Sequence, residues 1–193
     1  MTFALAAALV VLAAAALVIT GEAAAASLTL SDADKRAAVQ AGERSTTVED
    51  FDREWRVSGG GGGDVTVLTP FHRLVVAARH AAFKNEPLKP VDVERTVKKD
   101  AGRLVVWVQL RGRSEDFARY YVPRLMVGTR EIKATFVQNE RTALRQDDGA
   151  YLARCAYGFP VRDLDDRARF ALIVADIEGR DISRFTIDLS GMR

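Results

Sequence analysis

The sequence predicts an α+β protein: an N-terminal leader, a few short helices, and a C-terminal antiparallel β-sandwich. Three observations carry this. In the segment 147–190, Tyr151, Ala153, Cys155, Tyr157, Phe159 and Val161 share one parity, and Phe185, Ile187 and Leu189 alternate with Arg184, Thr186 and Asp188. That is the period of a strand with one buried face. Between them ARFALIVADI is apolar on both parities and rich in β-branched residues, as a strand covered on both faces would be. Leu164, Ala168, Ala171, Leu172 and Ala175 in the same stretch also fit a helix, but the turn at Asp176 to Gly179 and the strand after it favour sheet. Before Arg103, by contrast, apolar residues recur at spacings of three and four between helix caps.

The organisation expected is a signal peptide or membrane anchor over 1–26, a short helical segment over 27–58, and a glycine linker over 59–63. A strand and two helices follow over 64–102, and an antiparallel sheet over 103–193. Residues 3–19 are uncharged and apolar, and Ala24, Ala25 and Ala26 precede Ser27 with the small side chains a signal peptidase accepts. No Lys or Arg precedes the run. As a helix it would reach about 26 Å, just short of the ~30 Å hydrocarbon core. Cleavage after Ala26 is the favoured reading, and retention as an anchor is the alternative.

Ser31 offers an N-cap for a helix over DADKRAAVQA, with Gly42 as the residue that stops it. Val48, Phe51 and Trp55 then form a second helical stripe. Gly59 to Gly63 lack the Lys-Ser/Thr of a phosphate loop and open into the short strand Asp64 to Leu68, so they read as a flexible connection that leaves the preceding helices loosely tethered. Thr69 and Pro70 begin a helix that buries Phe71, Leu74, Val75, Ala78 and Ala82 and stops near Asn85. The segment VDVERTVKKDAG, acidic early and basic late, suits another helix ending at Gly102; the alternative is the first arm of a hairpin turning at Asp100 to Gly102. From Arg103 the period becomes two. Leu104, Val106, Val108 and Leu110 face one side, Val105 and Trp107 the other. YYVPRLMVG and REIKATFVQ form a hairpin about Gly128 and Thr129, and Pro123 belongs near an edge or at its strand's first residues. Asp147 to Gly149 turn the chain into the closing strands.

Asp147-x-Gly149-x-Tyr151-x-Ala153 resembles the tyrosine corner of immunoglobulin-like domains. The resemblance covers about seven residues. It implies a sandwich in which the Tyr151 hydroxyl ties back to upstream backbone and Trp107 serves as the core tryptophan. Cys155 has no second cysteine to pair with, so the antibody-type disulfide is absent.

Composition narrows function further. The 193 residues are 48% hydrophobic and 28% charged, and 28 Lys and Arg against 26 Asp and Glu leave a net charge of +2, which does not call for nucleic acid. Cys155, on the apolar parity, reads as a buried thiol. His72 and His80 are too far apart on one helix to share a metal and read as surface or boundary residues. Asp147, Asp148, Asp165 and Asp166 sit in turns, where Asp bonds its own backbone. No hydrolase elbow, zinc motif or dinucleotide fingerprint occurs. The sequence therefore assigns no catalytic, cofactor-binding or metal residue and no cofactor. It favours an exported, non-catalytic binding or structural module of the cell envelope with an unidentified protein or envelope partner, touching membrane only if the leader stays. The alternative is an extracytoplasmic hydrolase-type enzyme with a dispersed site.

Overall fold

Ser31 accepts the backbone N–H of Asp34 while the Asp34 carboxylate accepts from the Ser31 N–H, a capping box that opens helix α1, Asp32–Arg44. This is the first element of a computed structural model that describes residues 28–59, 63–99 and 101–193. The leader and its cleavage site lie outside the described residues. No helix among those described is long and apolar enough to cross a membrane.

The chain is mixed α+β, with three helices and two antiparallel sheets among the described residues. After α1 come β1 (Arg56–Ser58), β2 (Asp64–Leu68), α2 (Pro70–Phe83) and α3 (Pro90–Lys98). The strands β3 (Arg103–Gly112), β4 (Val122–Val127), β5 (Arg130–Lys133), β6 (Phe136–Gln138), β7 (Leu144–Arg145), β8 (Tyr151–Pro160), β9 (Arg169–Ala175) and β10 (Asp181–Asp188) complete it. One sheet has the order β1-β2-β3-β8-β6, with β7 also on β8; the other runs β10-β9-β4-β5. Val106, Val108, Cys155 and Tyr157 of the first sheet and Leu125, Leu172, Val174 and Phe185 of the second belong to one hydrophobic core.

Several expectations hold in detail. β9 is buried along all but its first residue, so ARFALIVADI is sheet and not helix. Thr69 caps α2, and at its far end Asn85 takes φ +54° while the N–H groups of Asn85 and Glu86 donate to the carbonyls of Ala82 and Ala81, a left-handed cap that asparagine tolerates. The segment 90–98 is a helix, not a hairpin arm. Pro123 is the second residue of β4, ahead of the first β4–β5 pair at Arg124 and Lys133, so its missing N–H costs that ladder nothing although β4 is an interior strand.

Other expectations change. α1 continues through Gly42, where a Cβ would sit 2.4 Å from the Val75 carbonyl oxygen and 2.6 Å from the Ala78 Cβ. Glycine is needed there to bring α1 against α2, not to end the helix. The stripe of Val48, Phe51 and Trp55 is a turn and a single 3-10 turn leading into β1. β1 pairs with β2 across the glycine run, and the Gly59 N–H donates to the Gly63 carbonyl at 2.9 Å. β1 and β2 thus form a hairpin with Gly59 and Gly63 bonded to each other at the ends of its strands, and α1 is packed on α2 in place of being loosely tethered. Because β2 also pairs with β3, the sheet runs across the boundary expected at 102. REIKATFVQ divides: its first half is β5 in one sheet, its second half β6 in the other.

Candidate functional site

The ladder register of the larger sheet determines what lies on its face away from the core. Leu68, Val105, Gly158 and Phe136 stand in one cross-strand row on β2, β3, β8 and β6. Thr66, Trp107, Ala156 and Gln138 form the next. Above this floor runs α2, which has two working stripes. Phe71, Leu74, Val75 and Ala78 are buried, whereas Arg73, Val76, Ala77 and His80, at the same helical spacing, line a cavity against the sheet. Thr96 and Lys99, from α3 and its last turn, close the side. The cavity measures about 520 Å³, within the range of small-molecule sites.

Trp107 is 57% exposed in this groove, so it is not the core tryptophan; Trp55, 1% exposed, fills that role. The Trp55 indole donates to the Arg193 carbonyl at 2.6 Å. Gly158 has a specific task beside the groove. A Cβ there would lie 3.0 Å from Arg103 Cδ and 3.1 Å from Phe136 Cβ, so its absence lets the Arg103 stem cross β8 and place its guanidinium 5.5 Å from the Phe136 ring centroid. Arg73 donates from Nε to the Leu68 carbonyl at 3.3 Å. Burial, with a further contribution from the positive charge of Arg103, pushes Arg73 down to about 10, so it remains a cation at neutral pH. Among the described residues lining the groove there are Arg73, Lys99, Arg103 and His80, and no Asp or Glu.

Of each acidic pair weighed from the sequence one member serves its own turn, while Asp166 Oδ1 accepts the distant Leu28 N–H at 3.4 Å. Asp148 Oδ1 accepts the Ala150 N–H, Asp165 Oδ1 accepts the Arg167 N–H, and Asp148 is also ion-paired with Arg111. Cys155 is buried. His80 is exposed, but His72 is not the surface residue expected: it is 2% exposed and stacked on Trp55 at 4.5 Å. The tyrosine tie also falls elsewhere. Among the described residues the Tyr151 hydroxyl makes no hydrogen bond, whereas Tyr157 donates to Asn139 Oδ1 at 3.0 Å, and Asn139 Nδ2 donates to the Tyr121 carbonyl at 2.8 Å. Among the described residues no group of three or more His, Cys, Asp or Glu is placed to hold a metal ion.

Sequence reasoning did not find the groove. Its only local signal was the pairing of Val105 with Trp107 on the wet parity of β3, next to a second apolar-basic stripe on α2.

No protein-family model matches the chain, and no curated protein matches it. Among solved structures, a crystal structure of a novel protein of unknown function from Burkholderia pseudomallei is similar over 84% of this chain and 95% of that one, at a TM-score of 0.43 and 12% identity. Likeness at that level says nothing of activity.

Proposed function

We propose that the protein is an exported, non-catalytic binding module of the cell envelope, with its two sheets stacked as a β-sandwich and its ligand site in the groove over Trp107. The observation that carries this reading is Trp107 itself, a large aromatic side chain left 57% exposed in the middle of a ten-residue strand and set inside a concave site of about 520 Å³. An indole so placed offers a flat apolar surface to a ligand. The sandwich is supported by the shared core of both sheets. Its immunoglobulin-like refinement rested on Tyr151, whose hydroxyl makes no bond among the described residues. Export is supported by the apolar run 3–19 and the alanines at 24–26; intact mass of the exported protein should begin near Ser27, and retained Met1 in a carbonate-resistant membrane fraction would contradict it.

The binding reading is tested with two fluorescent ligands of one aromatic skeleton, neutral phenylnaphthylamine and anionic anilinonaphthalene sulfonate. At least one should bind the folded chain with one-to-one stoichiometry and lose about fivefold in affinity in Trp107→Ala, the loss expected for one aromatic contact. Binding by neither, or binding indifferent to Trp107, would overturn the reading.

A further inference from the structure

Beside the indole of Trp107 the sheet presents uncharged polar groups on three sides. In the cross-strand row Thr66 stands on one side, and Ala156 and then Gln138 on the other. Two residues further along β3, on the same face, is the exposed Gln109, about 7 Å away at ~3.3 Å per residue. Among the described residues the side chains of Thr66, Gln109 and Gln138 make no hydrogen bond. A hydroxyl and two carboxamides can each both donate and accept. Trp107 and Gln138 are two strands apart, about 10 Å at ~4.8 Å per strand, and the methyl group of Ala156 is the floor between them.

Charge near the indole is already answered within the protein. Arg73 donates to the Leu68 carbonyl, the Arg103 guanidinium lies against the Phe136 ring, Arg111 is ion-paired with Asp148 and Arg56 with Asp52. Asp64 and Arg154, on either side of Gln109 in its own row, are opposite in sign. A planar aromatic ligand would cover the indole and leave the three polar groups without partners, which costs free energy once water is displaced. A peptide would be read along an open strand edge, and β3 is an interior strand.

Resting on the binding reading above, we propose that the ligand is a neutral saccharide of pyranose rings. One ring lays its apolar C–H face on the Trp107 indole. Its hydroxyls, which donate and accept as the protein groups do, bond to Thr66, Gln109 and Gln138. The low floor at Ala156 gives the ring edge room between the indole and the Gln138 amide, and the chain runs on over the open face toward Gln109.

Calorimetric titration with cellotetraose and with chitotetraose tests this. At least one should bind one-to-one, and raised salt should leave its affinity unchanged, since no charge is involved. Trp107→Ala should weaken it by at least about fivefold, and Gln109→Ala by about threefold to tenfold, the loss expected for one neutral hydrogen bond. Both side chains are exposed, so the melting temperature of each variant should stay close to that of the wild type. Sorbitol, which has the hydroxyls and no ring, should not bind. Binding by neither oligosaccharide while a dye binds at Trp107 would overturn the saccharide and leave the groove standing. Saccharide binding that salt weakens, or that is indifferent to Trp107 and Gln109, would also overturn it. If the dyes fail as well, the reading beneath falls with it.

Discussion

His72 lies between Trp55 at 4.5 Å and Phe51 at 6.4 Å, and neither ring nitrogen has a hydrogen-bond partner among the described residues. Burial pushes it down to about 4; the charge of Arg73 pushes the same way, and that of Asp52 opposes. The unfolded chain therefore binds a proton at this residue at a pH where the native chain does not. Its stabilising contribution is full above about pH 6.5 and is lost as pH falls toward 4, amounting to about 3 kcal/mol at ~1.4 kcal/mol per unit. Urea unfolding should show that loss in the wild type and not in His72→Phe, which keeps a stacked ring. A wild-type stability flat between pH 6.5 and 4 would contradict it. Asp34 and Asp188, held below the usual carboxylate value by bonds from Ser31 and Ser190, lose their contributions only at lower pH. A second prediction concerns Tyr157, whose hydroxyl secures Asn139 and through it the backbone at Tyr121. Tyr157→Phe should cost about 0.5–1.5 kcal/mol, while Tyr151→Phe should cost close to nothing. Equal costs would contradict the assignment. The motif about Tyr151 was legible as a turn, which Gly149 at φ +81° makes, but which tyrosine is tied depends on a residue from another loop.

At the scale of elements, α2 is the hinge of the account because both its stripes are used. One packs under α1 and into the core; the other walls the groove. Its limits were legible because Thr69, Pro70 and Asn85 act through local backbone geometry. Gly42 was misread for the complementary reason. A glycine after an apolar helical stripe looks like a stop, and only the partner helix reveals that Val75 and Ala78 need the space. Gly42→Ala should therefore destabilise the protein by roughly 3 kcal/mol, the upper part of the usual overpacking range, although alanine is the better helix former. A neutral or stabilising result in thermal or urea unfolding would show that α1 does not sit closely on α2. Gly59→Ala should also destabilise, since its Cβ would fall 2.3 Å from the Phe185 ring. The split of REIKATFVQ between two sheets was hidden because both halves carry strand residues, and Ala134 and Thr135 between them carry no turn signal.

For the molecule as a whole, alternation along single strands made the two classes of element readable, and burial followed parity on β3, β8 and β10. What the pattern along one strand does not contain is register. The groove brings together Leu68, Arg73, Lys99, Arg103, Trp107, Phe136 and Ala156 from five elements and a helix end, joined by pairings among β2, β3, β8 and β6. That arrangement appears only once the sheet is assembled. The central claim is that this assembled face is the ligand site, and the two tryptophans of the chain test it directly. In a nitrogen-proton correlation spectrum each indole gives one signal, and Trp55 reports the core while Trp107 reports the groove. On titration with anilinonaphthalene sulfonate the Trp107 signal should shift in proportion to occupancy and the Trp55 signal, bonded to the Arg193 carbonyl, should stay in place. A Trp107 signal that does not move while the probe binds, or movement confined to Trp55, would contradict the account.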